Sequence, residues 1–266
     1  MSLFSSLNRL RGRKLFDERV EHIEQVVQLP PFTPEIAAAV QLIATRITVK
    51  ADEESRLLAQ KEANAASLKE YEALAPVFAK KKKPRKVLEI GPGFGRSVIY
   101  FGKKGVWDDT AEIHLYDTNG TQTKYKQKFY DTPPKWPDVS SFCGHLPLLK
   151  QVLEYNGIHN FHVHDAATMP LTQLPGPYDF IYGFYSVGFH WSLDFYLDEI
   201  DPLLHERGLL VCTLNKHFRP FSRLANYSTR VVECPEIKKN ASPLRLLLLS
   251  KRDLPDVGLP VAKVYR

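Results

Sequence analysis

Spacing of the apolar residues divides the chain into two regimes. Up to about residue 80 they recur at helical intervals. Phe16, Val20, Ile23, Val26 and Val27 form one such stripe, which Leu29-Pro30-Pro31 interrupts. Thr33-Pro34-Glu35 reads as an N-cap with proline in the first helical position, opening a helix over 36–48. A third stripe, over 51–79, carries Leu57, Leu58, Leu68, Tyr71, Leu74 and Phe78. Beyond it the pattern changes. Strand-length apolar runs at 87–90, 111–116, 161–164, 178–183 and 208–214 alternate with stretches that suit helices at 97–104, 146–155 and 195–204. Two late runs, 229–234 and 244–250, predict two further strands. Such alternation implies a doubly wound α/β fold preceded by a helical extension.

The residues that close the strands carry the candidate chemistry. The first strand climbs through Glu89 into Gly91, Gly93 and Gly95, and then into a helix start. Glycines at alternate positions suit a tight turn approached more closely than a Cβ permits. Helix-start amides there favour an anionic group. A dinucleotide fingerprint would need its third glycine where Arg96 stands, so that reading fails. The second strand ends in Asp117. In sheets of this kind a carboxylate at a strand's carboxyl end can accept hydrogen bonds from a ribose, although Asp117-Thr-Asn-Gly also reads as a simple turn. The third strand ends in Asp165, followed by Ala166, and the fourth in Gly183-Phe184. His190 follows on the loop beyond the fourth strand and is a candidate base. Packed beside Trp191 it would instead be structural. His217 and Asp194 are weaker candidates for the same task.

Charge and composition narrow the picture. The 266 residues carry a net charge of +6, concentrated at Lys80–Lys83, Arg85 and Lys86. That run reads as a solvated linker before the first strand, with a phosphate-contacting patch as the alternative. Three cysteines, odd in number and far apart, exclude a disulfide framework and a C-x-x-C metal site. Cys212, inside an apolar run, reads as a small buried hydrophobe. His162 and His164 share one strand face. With no third ligand of fixed geometry evident nearby they read as structural, and no metal is expected. No run is long enough to span a bilayer, and residues 1–14 lack a signal-peptide core, so a cytoplasmic protein is the default.

Glu89-Ile-Gly-Pro-Gly-Phe-Gly95, Asp117, Asp165-Ala166, Tyr178-Asp-Phe-Ile and Gly208-Leu-Leu-Val, in that order, resemble the motif series of class I S-adenosylmethionine-dependent methyltransferases. The resemblance covers roughly residues 84–250. The middle of the chain is also loosely similar to bacterial methyltransferases of sugar or other small-molecule hydroxyls. The resemblance implies a seven-stranded, mostly parallel Rossmann-like sheet whose last strand is antiparallel. It divides the chain into a helical extension or cap at 1–83 and a methyltransferase domain at 84–266. It also implies S-adenosylmethionine as cofactor, with Gly91, Gly93 and Gly95 against its methionine part and Glu89 near its amino group. Asp117 would hold the ribose, Asp165 and Ala166 would flank the adenine, and Gly183 and Phe184 would sit beside the sulfonium. The acceptor implied is a small-molecule or sugar hydroxyl, with His190 as base. An RNA or protein acceptor guided by 80–86, or an inactive partner subunit, are the alternatives. The N-terminal helices could form a lid or a homodimer face.

Overall fold

The computed structural model describes residues 23–43, 49–122, 142–187, 193–214, 224–234 and 245–256. Two helices come first, α1 (Pro34–Ile43) and α2 (Glu53–Phe78). They are followed by β1 (Lys86–Ile90), α3 (Arg96–Lys103), β2 (Glu112–Asp117), β3 (Gly120–Gln122), β4 (Phe142–Gly144), α4 (Leu146–Tyr155) and β5 (Phe161–Asp165). The rest is β6 (Tyr178–Gly183), α5 (Leu193–Ile200), β7 (Leu204–Leu214), β8 (Ser228–Glu233) and β9 (Arg245–Ser250). Seven strands form one sheet in the order β5-β2-β1-β6-β7-β9-β8. All neighbouring pairs from β5 to β7 are parallel, and β9 runs antiparallel to both of its neighbours. β3 and β4 pair antiparallel as a separate two-stranded sheet.

The middle strands of the sheet are covered on both faces, which is why they are largely apolar, while edge strands β5 and β8 are partly exposed. Val87, Phe180, Tyr182, Leu209, Val211, Leu246 and Leu248 turn to the face packed by α2, α3 and α4. Leu88, Ile90, Tyr178, Ile181, Leu210, Cys212 and Leu247 turn to the opposite face, where α5 contributes Leu193, Tyr196, Leu197 and Ile200. Alternation within near-continuous apolar runs is the signature of a strand buried twice. Cys212 is fully buried, as its setting implies, and burial pushes its thiol up to about 12.

Helix starts follow local chemistry. Asp52 caps α2 by accepting from Ser55 N at 2.7 Å, and Glu53 and Glu54 occupy the first turn, where the helix dipole favours negative charge. Thr33 Oγ1 accepts from Ile36 N at 3.3 Å at the head of α1. Near the end of the chain, α5 passes into a 3-10 turn at Asp201–Leu203 and β7 begins at Leu204. The apolar spacing had extended the helix to 204 and started the strand at 208. Pro202 sits at the front of the 3-10 turn, where it cannot donate to a continuing α-helix.

The first helical stripe is corrected from Ile23 onward, Phe16 and Val20 lying outside the described residues. Among the described residues, 23–33 are not helical. Val26, Val27 and Leu29 are buried in the core nonetheless. Their stretch has no regular secondary structure, with a bend at Val27, and side-chain amides satisfy its backbone. Asn64 accepts from Val27 N at 2.8 Å and donates to Val27 O at 2.9 Å. Asn156 does the same for Gln28 at 2.9 and 2.7 Å, and Gln60 accepts from Leu29 N at 2.9 Å. Apolar spacing alone cannot distinguish such a strap from a helix, because the partners lie far along the chain.

Candidate functional site

The chain order of the sheet reverses between β1 and β6, and in doubly wound sheets the ligand crevice opens at that point, beyond the carboxyl ends of the strands. The glycine turn leaves β1 there. Gly91, Gly93 and Gly95 have φ of +73°, +60° and +81°, in the left-handed region that favours glycine. Gly95 is the N-cap of α3. The close approaches at these glycines come, in part, from the chain itself. A Cβ on Gly91 would lie 2.6 Å from Ser186 Cβ, and one on Gly93 would lie 3.1 Å from Ile43 Cγ2. One on Gly95 would lie 3.0 Å from both Leu149 and Leu153. Ser186 also donates to Ile90 O at 2.5 Å and stands 2.6 Å from where a Gly183 Cβ would be. This serine ties the ends of β1 and β6 together. Nothing in the local sequence marks it.

Asp117 and Asp165 are direct neighbours in the β2–β5 register. Asp117 is 2% exposed. Its oxygens accept from Gly93 N at 3.2 Å and Thr118 N at 2.8 Å, and among the described residues no cation pairs with it. Burial pushes its carboxyl up to about 7; the two backbone donors pull it back, and Asp165 beside it adds to the rise. Gly144 of β4 is pressed against it, since a Cβ there would meet Asp117 Oδ1 at 2.6 Å. Asp165 is half-buried and accepts from Thr118 Oγ1 and Ala167 N, both at 2.9 Å. Ala166 N donates to Asp117 O at 2.7 Å. Two carboxylates with spare lone pairs and no cation suit a ligand that donates hydroxyl hydrogen bonds.

Glu89 lies beneath the turn, 2% exposed. Ser97 Oγ donates to one oxygen and Tyr182 OH to the other, the latter at 3.1 Å. Burial pushes Glu89 up to about 7 against the pull of Ser97, Arg96 and Tyr182. Beside it, Arg96 forms a two-pronged ion pair with the fully buried Glu70 at 2.6 and 2.7 Å, and donates to Ser67 Oγ at 3.0 Å. Burial opposes the charge of Arg96, but Glu70 outweighs it and holds the guanidinium protonated. The guanidinium also lies 6.0 Å from the centre of the Tyr185 ring. Tyr185 is the sole non-glycine residue with positive φ, +59°, among the described residues, a conformation that concentrates at functional sites. Phe184 turns its ring into the core against Phe101 and Tyr182, so only its backbone can border a ligand. His190, His217 and the side chain of Asp194 lie outside the described residues.

The histidines of β5 are not isolated. Their setting in the sequence hides His114 and Glu112, which β2 places beside them. His114 pairs with His162 and Tyr116 with His164 in the strand register, so all three histidines share one face. The absence of a third ligand nearby, on which the structural reading rested, is thereby overturned.

No protein-family model and no curated protein matches the chain. Solved structures do. The O-methyltransferase TomG from Streptomyces achromogenes, involved in tomaymycin synthesis, aligns with a TM-score of 0.50 at 13% identity, over 90% of this chain and 98% of that one. Cofactor-bound Rv0187 from MTB aligns with a TM-score of 0.48 at 15% identity, over 85% and 100%. The first of these is alike in overall fold, and with the seven-stranded sheet in the order described and β9 antiparallel, the chain has the class I S-adenosylmethionine-dependent methyltransferase fold.

Proposed function

We propose that the protein is an S-adenosylmethionine-dependent methyltransferase acting on a hydroxyl of a small molecule or sugar. The observation that carries this reading is the pair Asp117 and Asp165, side by side at the mouth of the glycine turn with acceptor capacity to spare. In the proposed complex Asp117 binds the ribose hydroxyls and Asp165 and Ala166 border the adenine. The turn at Gly91–Gly95 borders the methionine part, with the enclosed Glu89 lending negative charge below it, and the backbone of Gly183 and Phe184 flanks the sulfonium. The cofactor supplies a methyl group on a cationic sulfur whose departure is already favoured. The protein then has to align the acceptor in line and exclude water, and His190 takes the hydroxyl proton. Residues 1–83 serve as a cap over the 84–266 domain. Its reach is supported by Ile43 at the end of α1, which rests on Gly93, and by the packing of α1 on β4.

A small acceptor is favoured over RNA by the surroundings of the basic run. Lys80 donates to Asp256 O, Lys81 to Arg207 O at 3.0 Å, and Lys83 pairs with Asp108 at 2.6 Å. Lys86 pairs with Glu112 at 3.4 Å. Lys83 and Lys86 are paired near the starting ends of β1 and β2, whereas the turn follows the other end of β1. RNA guidance by this run would appear as strongly salt-dependent binding that is lost when its lysines are neutralised.

Calorimetric titration with S-adenosylmethionine tests the cofactor. Wild type is expected to bind, and Asp117→Ala to bind about 10–100-fold more weakly, as befits a lost charge-assisted hydrogen bond. A wild-type protein that binds nothing sinks the proposal. Once an acceptor is found, His190→Ala should lower kcat about 100-fold with cofactor affinity unchanged; undiminished turnover would strike His190 from the mechanism.

A further inference from the structure

We propose that Glu112, His114 and His162 form a site for a divalent transition-metal ion, Zn2+ being the ion their chemistry fits, away from the methyl-transfer cleft. The ligand atoms are Glu112 Oε1, His114 Nε2 and His162 Nε2. Glu112 Oε1 lies 2.8 Å from His114 Nε2 and 3.7 Å from His162 Nε2, and the three atoms all fall within 4.8 Å of one another. Tetrahedral zinc with ligands at about 2.0–2.1 Å holds neighbouring donors about 3.3 Å apart. The two spacings from Glu112 bracket that value, and rotation of the exposed Glu112 and His162 side chains would close the site around the buried His114. Two imidazoles and a carboxylate leave a fourth position for water, the arrangement of an open zinc site.

The surroundings have the form of outer-sphere support. The other ring nitrogen of His114, Nδ1, lies 2.8 Å from His164 Nε2, and the two ring planes are 2° apart. A ligating histidine whose second nitrogen is engaged this way is fixed in ring orientation and tautomer. Lys86 takes the opposite oxygen of Glu112, Oε2, at 3.4 Å and leaves Oε1 facing the histidines. Tyr178, fully buried, packs edge-on against His114 with its hydroxyl lacking a hydrogen-bond partner among the described residues. Access is open, because His162 and Glu112 have side-chain exposures of 53% and 40%. The ion would join edge strand β5 to β2 near their starting ends. The proposed cofactor acids lie at the other ends of the same strands, so the two sites are separate.

The test uses the full-length, untagged, chelator-treated protein. Zn2+ is titrated by calorimetry and Co2+ is followed by its visible absorption. One ion per chain is expected, with the intense bands of a tetrahedral nitrogen–oxygen site for cobalt. His162→Ala and Glu112→Gln alter exposed side chains and should preserve the fold. Each is expected to weaken binding by more than about 100-fold, beyond the range seen for outer-sphere changes, while the exposed His159→Ala control leaves it unchanged. Absence of saturable binding, or affinity that either variant leaves intact, overturns the site and makes the cluster a hydrogen-bonded one only.

Discussion

Glu70→Gln is expected to destabilise the protein by about 3–5 kcal/mol, the range for breaking a buried ion pair by removing one partner. Glu70 is fully buried and Arg96 nearly so, with 16% of its side chain exposed. A neutral amide keeps the shape of the carboxylate but leaves the guanidinium in the interior without its counter-charge. Ser67 supplies one neutral acceptor and Tyr185 a ring face, and neither replaces a carboxylate. Urea unfolding of Glu70→Gln, Arg96→Met and the Glu70→Met/Arg96→Met double variant separates the terms. The double variant should recover much of what each single change loses, because apolar side chains of similar volume remove both charges together. A single variant that loses less than about 1 kcal/mol would show that the pair is not the keystone of this face. Since Arg96 lies under Tyr185, the single variants should also disturb the loop after β6.

Replacing Glu89 should change how stability depends on pH more than it changes stability at any one pH. Burial raises this carboxyl from its ordinary 4.5 to about 7 in the folded protein. The folded state therefore binds a proton more tightly than the unfolded state. The stabilisation is fully present below pH 4.5 and is lost as pH rises to about 7. The loss amounts to about 3 kcal/mol for a shift of this size. Glu89→Gln does not titrate, so unfolding free energies of wild type and variant should diverge by that amount between pH 4.5 and 8, with wild type losing ground. Asp117, raised to about 7 from 3.8, also lowers wild-type stability over this window, while His114, lowered to about 4, raises it. Both are common to the two proteins and cancel in the difference. Parallel curves would mean that Glu89 is ionised in the fold at no cost. A cationic ligand bound near Glu89 should flatten the wild-type profile.

Much of the architecture was legible because strands buried on both faces announce themselves as short apolar runs between polar ends. β6 and α4 coincide with their expected limits, and the acids at 117 and 165 stand at strand ends as the turn required. What escaped depends on contacts between distant parts of the chain. Arg96 was visible only as the residue that breaks a dinucleotide pattern, and its partner Glu70 is 26 positions earlier on α2. Ser97 and Tyr182, which share the Glu89 carboxylate, look like ordinary helix and strand residues. The histidine cluster needs the β2–β5 register, because His114 and His164 are 50 positions apart. Spacing within one strand could find the pair on β5 but not the ligands opposite.

The strap at residues 27–29 also ties distant parts of the chain together. Its hydrogen-bonding partners belong to two different helices, Asn64 and Gln60 on α2 and Asn156 at the end of α4, up to 128 positions away. Until both helices are docked on the sheet, the amides of Val27, Gln28 and Leu29 have only water to bind. The strap's hydrogen bonds are therefore complete only when both helices are in place, so a segment early in the chain is secured by residues far along it.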